Sequence, residues 1–218
     1  MELRRRIAIV TGALSGIGRA TARTLAARGA TVVAVARREQ RLADLIEECH
    51  RDSPHSTYFC GDLAERSFAE SVIVRTVERF GRLDILINNA ATPKHKSILD
   101  TPVEEAEWVM QVNFLSPLWL TMAALGPMLA AGGGTVVNVS SLAGRITPPR
   151  ESVYAASKAA MNAFTMGLQG DLEGSNIHVG LVVPGAIDTE IWDRGDESPS
   201  FDGRKHPPEV VTLSLIHI

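Results

Sequence analysis

Apolar residues fall in short unbroken blocks, and longer amphipathic stretches separate the blocks along the whole chain. Ile7-Ala8-Ile9-Val10 is the first block, and such a run reads as a strand covered on both faces. Thr31–Ala36, Thr57–Cys60, residues 83–87, residues 135–139 and Ile177–Val182 repeat it. Residues 19–28, 39–51, 65–80 and 153–172 read as helices between the strands, with Gly29 closing the first as a C-cap. Residues 101–128 form a long helical stretch with a break expected near Pro117. Regular alternation of strand and helix predicts an α/β fold, a doubly wound parallel sheet of the Rossmann type. From 190 to 208 the pattern dissolves into a polar, turn-rich segment holding Gly195, Pro199, Gly203, Pro207 and Pro208.

Composition narrows the class. The chain has 218 residues, and the reading is one domain over 1–212. A net charge of −3 leaves no nucleic-acid footprint. The apolar run before Thr11-Gly12 is too short for a signal core or a membrane span. Cys49 and Cys60 make no metal or redox spacing, and the six His are scattered, so no metal site and a cytoplasmic location are expected.

Three places carry candidate chemistry. The first strand runs into Thr11-Gly12-Ala13-Leu14-Ser15-Gly16-Ile17-Gly18 and then into a helix. Glycines there let the backbone approach a pyrophosphate, and the helix N-terminus supplies amide donors; a tight turn without ligand is the alternative. The second strand ends in Arg37-Arg38, where Arg pairs with a ribose 2′-phosphate and an acidic residue would instead accept from a 2′-hydroxyl. A solvated basic pair opening the next helix is the other reading. Lastly, Ser141 precedes Tyr154 by thirteen residues, and Lys158 follows Tyr154 by four. The spacing of four stacks Tyr154 and Lys158 on one helix face. An ammonium beside the phenol is expected to lower its pKa and make Tyr154 a general acid/base, with Ser141 polarising a substrate oxygen. With two Tyr and four Lys in the chain, the pair alone is a modest signal, and a packed Tyr with a satisfied hydroxyl competes with it.

Taken in order, the Thr-Gly-x-x-x-Gly-x-Gly turn, Asn88-Asn89-Ala90-Ala91, Ser141, Tyr154-x-x-x-Lys158 and Pro184-Gly185 resemble the short-chain dehydrogenase/reductase family from about residue 6 to about residue 211. Ala91 departs from that family's Asn-Asn-Ala-Gly. The resemblance implies strand order 3-2-1-4-5-6 and hydride transfer between NADP(H), favoured over NAD(H), and a secondary alcohol or carbonyl compound. It implies a catalytic set of Asn113, Ser141, Tyr154 and Lys158, with Ser140 the second choice for the serine. Asn113 would bulge its helix and hold a relay water. It further implies cofactor contacts from Gly12, Ser15, Gly16, Ile17, Gly18, Arg37, Arg38, Asp62, Leu63, Asn89, Ala90, Tyr154, Lys158, Pro184, Gly185, Ile187 and Thr189. Asp62 and Leu63 would meet the adenine, and residues 190–208 would form a lid with Trp192 as an apolar contact. Relatives of this kind form homodimers or homotetramers, and no nucleic-acid or membrane partner is expected. A nucleotide-binding module without turnover is the second reading.

Pro208-Glu209-Val210-Val211 resembles the start of the family's last long helix, after which a seventh strand would follow. Residues 213–218 instead match the translation of a transposon-end adapter used in sequencing libraries. The expectation is a domain truncated near Thr212, followed by six foreign residues; a genuine apolar tail is the alternative.

Overall fold

The computed structural model describes residues 3–193 and 203–215, and within them six parallel strands form one sheet. The strands are β1 (Ile7–Thr11), β2 (Thr31–Ala36), β3 (Thr57–Cys60), β4 (Ile85–Asn88), β5 (Gly134–Val139) and β6 (Ile177–Val182), in the order β3-β2-β1-β4-β5-β6. The expected order is therefore present. β1 is buried at every position, because it pairs with β2 on one side and β4 on the other and carries helices on both faces. Registers such as Thr11↔Val35 and Asn88↔Asn138 bring the strand C-termini to one edge.

Two apolar layers cover the sheet. On one face α1 (Gly16–Ala27), α2 (Glu39–His50) and α7 (Pro208–Leu215) pack on Ala8, Val10, Val32 and Ala34. On the other, α3 (Arg66–Phe80) and α5 (Ser116–Ala130) pack on Ile9, Val33, Leu86 and Val136. The end of α1 shows why Gly29 closes it. Gly29 adopts φ +87°, its N–H reaches Ala26 O at 2.8 Å, and Ala30 N–H reaches Leu25 O at 3.1 Å. Within the stretch read as translated adapter, residues 213–215 complete α7, and Leu215 packs with Val211 in the first layer. Residues 216–218, and residues 194–202 of the expected lid, lie outside the described residues.

The long helical stretch breaks earlier than Pro117 suggested. It is α4 (Val103–Met110), one π-helical turn (Gln111–Leu115), then α5. Pro117 sits in the first turn of α5 and has no N–H to offer the carbonyl four residues back, that of Asn113. The disturbance is thereby passed toward the N-terminus and centres on Asn113. By length and composition, 103–130 could cross a membrane. Leu120, Ala124 and Met128 of that stretch are fully buried against the sheet, which accounts for their apolar character.

Candidate active site

The glycine turn is pinned from β4. The Thr11 hydroxyl donates to Ile87 O at 3.1 Å and accepts from the backbone N–H groups of Asn89 and Ala90 at 2.9 and 3.0 Å. Asn89 Nδ2 donates to Thr11 O and Gly12 O at 3.0 and 3.2 Å. These bonds leave no room for side chains inside the turn. A Cβ on Gly12, itself at φ +63°, would meet Ala90 Cα at 2.7 Å, and one on Gly18 would meet Gly12 O at 2.3 Å. A Cβ on Gly16 would lie 2.4 Å from Thr189 Cγ2. Ser15, extended at φ −155°, delivers the chain into α1, whose first amide donors face the cleft. An anion of pyrophosphate type fits a cradle of bare backbone and helix N-terminus.

The cleft continues along the strand ends. Gly12, Ser15, Gly16, Ile17 and Asn89 line one end. Ser141, Tyr154 and Lys158 line the other, and Pro184, Gly185, Ile187 and Thr189 flank both. Its volume is about 380 Å³. Leu142 N–H bonds to Pro184 O at 2.9 Å, tying the β5 and β6 ends together.

Tyr154 and Lys158 rise from α6 (Ser152–Asp171) on one face, as their spacing requires. Lys158 Nζ lies 5.9 Å from the Tyr154 ring centroid and donates to Val139 O at 3.0 Å. The Ser140 hydroxyl is used on Lys158 O at 3.2 Å. The Ser141 hydroxyl faces Tyr154 and also accepts from Ala143 N–H at 3.1 Å. The expected lowering of the Tyr154 pKa is not what this geometry produces. Burial pushes the phenol up to about 12, the Ser141 hydroxyl works against the rise, and the charge of Glu151 adds to it. Tyr154 is half-buried and keeps one side open to the cleft. Burial pulls the Lys158 ammonium down to about 8, so it stays largely charged at neutral pH.

Asn113 does not line the cleft. Its Oδ1 accepts from Thr92 N–H at 2.8 Å, and its Nδ2 donates to Thr92 O and Ser157 Oγ, each at 3.0 Å. Ser157 Oγ in turn donates to Tyr154 O at 2.6 Å. The amide thus fastens the loop after β4 to the turn of α6 that bears Tyr154 and Lys158.

The far end of the sheet holds the remaining expected contacts. Arg37 lies 3.7 Å from Asp62 and 5.6 Å from the Trp108 ring, while Arg38 and Arg41 reach Glu190 at 3.3 and 2.9 Å. Both Arg37 and Arg38 are exposed at the end of β2, each beside a carboxylate. Asp62 Oδ1 also accepts from Ala64 N–H at 3.0 Å. The Leu63 side chain is buried in the second apolar layer, so adenine contact from it is limited to backbone. Gly18 and Ala90 stand behind the turn and shape it without lining the cleft.

His95 and Glu151 also line the cleft, and the sequence assigns neither a chemical role there. Glu151 precedes Tyr154 by three residues at the start of α6, and helical spacing alone points it toward the Tyr154 face. His95 follows the Asn88-Asn89-Ala90-Ala91 strand end and carries no local signature. Among the described residues no three His, Cys, Asp or Glu side chains gather as a metal site would need.

A family model described as short chain dehydrogenase matches residues 6–199. An uncharacterised oxidoreductase of Thermotoga maritima is 38% identical over 201 residues, covering 92% of this chain and 79% of that protein. Another, of Staphylococcus saprophyticus, is 33% identical over 217 residues, covering 99% of this chain and 92% of its own. The crystal structure of a short chain dehydrogenase from Burkholderia cenocepacia in complex with NADP superposes with a TM-score of 0.89 at 28% identity, over 99% of this chain and 90% of that one.

Proposed function

The chain belongs to the short chain dehydrogenase family of oxidoreductases, and from that premise we propose that it is an NADP(H)-dependent reductase of carbonyl compounds, interconverting a carbonyl compound with its secondary alcohol. The observation that carries the reading is the meeting of Ser141, Tyr154 and Lys158 in the cleft that begins at the glycine turn. Bound there, the nicotinamide supplies or accepts the hydride. Gly12 and Gly16 leave the backbone bare for the pyrophosphate, Gly18 lets the turn close behind them, and α1 offers its amides. Arg37 and Arg38 suit a 2′-phosphate, and the NADP bound by the Burkholderia relative agrees with that choice.

Ser141 holds the substrate oxygen by a hydrogen bond. Tyr154, kept protonated at neutral pH, donates its proton to the oxygen as negative charge develops there. Lys158, charged below about pH 8, stabilises the phenolate left behind. Asn113 fixes α6 so that these groups stay aligned.

Tyr154→Phe is the test. It removes the transferable proton and keeps the ring. NADPH oxidation at 340 nm, assayed over a carbonyl panel, is expected to vanish while NADPH still binds by fluorescence titration. Turnover at the wild-type rate in that variant would overturn the assignment. Equal affinity of the wild type for NADPH and NADH would overturn the cofactor choice.

A further inference from the structure

A second polar device faces the same cleft beyond Tyr154. His95 and Glu151 are both more than nine-tenths buried, and His95 Nδ1 lies 3.0 Å from Glu151 Oε1. Both line the cleft. Three elements build the pair. The loop after β4 carries His95, and Lys96 N–H bonds to Arg150 O at 2.8 Å, which holds that loop against the chain entering α6. Glu151 comes from that entering chain. The segment after β6 brings Trp192, whose ring stacks on His95 at 6.4 Å between centroids and 6° between planes. Trp192 is itself fixed by its Nε1 donating to Ile187 O at 2.6 Å, with Lys205 Nζ 4.6 Å from its ring centroid.

The donor–acceptor inventory of this pair is incomplete. In the tautomer that gives Nδ1–H to the carboxylate, the ring keeps a lone pair on Nε2. Nε2 makes no hydrogen bond to any described residue. A buried imidazole oriented by a carboxylate, with its other nitrogen unused and its ring against a cleft, is a pre-set acceptor. Its natural complement is a hydroxyl donor. A carboxylate or phosphate on the ligand is disfavoured, because Glu151 places a negative charge beside the same space. The walls around the pair are apolar: Ile146, Pro148, Leu142 and the Trp192 face.

We propose that His95, oriented by Glu151, is the specificity-determining residue of this cleft, and that the substrate is a neutral hydroxylated carbonyl compound whose second oxygen donates a hydrogen bond to His95 Nε2. The assignment rests on the reductase reading for the location of the reacting carbonyl at Ser141 and Tyr154. The Nε2 acceptor then selects among carbonyl compounds by the presence of a hydroxyl elsewhere on an apolar ring or chain.

The probes are cyclohexanone and its 2-, 3- and 4-hydroxy derivatives, which differ by one hydroxyl at graded reach from the carbonyl. Two readouts run in parallel: kcat/KM for NADPH oxidation, and ligand-induced thermal stabilisation of the NADP⁺-loaded protein, which needs no turnover. A site built to bond a hydroxyl discriminates against the analogue lacking it, so at least one hydroxy derivative is expected to exceed cyclohexanone by about tenfold or more. His95→Phe keeps a ring to stack on Trp192 but has no acceptor, and the ratio should collapse toward one. A purely structural role for His95 would lower both members of the pair alike and leave the ratio standing. A wild type that binds and turns over cyclohexanone as well as every hydroxy derivative overturns the proposal, as does a preference that survives in His95→Phe. Loss of turnover on all four ketones, with the hydroxyl preference still visible in the binding readout, would strike the reductase reading and leave the His95 assignment intact.

Discussion

Replacing Gly18 by Ala tests whether the glycine turn is set by space. The added Cβ would lie 2.3 Å from Gly12 O, 2.9 Å from Gly12 C and 2.5 Å from Asn89 Nδ2. To reach ordinary contact, the oxygen must move by roughly 1 Å. Gly12 O cannot yield alone, because Asn89 Nδ2 holds it at 3.2 Å and holds Thr11 O at 3.0 Å. Overpacking of this kind costs about 1–3 kcal/mol, and each displaced Asn89 bond adds about 1 kcal/mol. The helix preference for Ala over Gly returns about 1 kcal/mol. The net is a loss of about 2 kcal/mol, which moves a urea midpoint down by about 1 M. The same shift carries the amides of residues 16 and 17 out of register with the pyrophosphate, so NADPH affinity should fall about tenfold or more. Gly167→Ala is the control. It lies inside α6, its Cβ would meet nothing within 4 Å, and it should keep or raise the midpoint. The reasoning fails if Gly18→Ala melts at the wild-type urea concentration and binds NADPH with unchanged affinity.

Two further substitutions probe buried charge. Asp84 is 2% exposed, and its carboxylate receives Ile7 N–H at 2.9 Å, Arg6 at 2.7 Å and the Arg82 guanidinium. Burial by itself would raise its pKa, but those bonds from Arg82, Ile7 and Arg6 outweigh it and hold the carboxyl below its usual 3.8. The folded state therefore binds this proton less readily than the unfolded chain, and the stabilisation is present above pH 3.8 and lost as pH falls through the folded value. Asp84→Asn should cost about 3 kcal/mol near pH 7 in urea unfolding, with the deficit shrinking below pH 4; a deficit constant from pH 7 to pH 3 would refute this. For Lys158 the sign is reversed in cause. Its folded pKa of about 8 lies under the ordinary 10.5, so between those values the unfolded state holds more protons and stability rises with pH. Lys158→Met should abolish that rise, and an unchanged pH–stability slope from pH 8 to 10.5 in the variant would contradict the assignment.

The strands were legible because a parallel strand buried on both faces has no polar alternation to blur it; the predicted and observed limits of β2, β3 and β6 coincide. Most helix ends shifted by one to three residues, the start of α2 and the end of α3 excepted, since the first helical residue depends on φ and ψ that composition does not fix. Gly16 is the clearest instance: it was read as part of the turn, yet α1 begins on it. Pro117 shows a different limit. The missing N–H does not by itself say where the helix absorbs the loss; the family resemblance placed the bulge at Asn113, where the π-helical turn stands, held by Thr92 and Ser157 as partners.

The same distinction between local pattern and assembled environment governs the site. Spacing placed Tyr154 beside Lys158, and it could not weigh their shared burial, which raises one pKa and lowers the other. That outcome changes the chemistry assigned to the pair. A phenol with a pKa near 12 and an ammonium with one near 8 both hold their protons at neutral pH, so Tyr154 is ready to donate and not to accept. His95 and Glu151 are 56 residues apart and meet only because the loop after β4 and the start of α6 converge on one sheet edge. No window of sequence contains both. The catalytic end of the cleft is thus written in short motifs, whereas the end that would choose the substrate is written in topology.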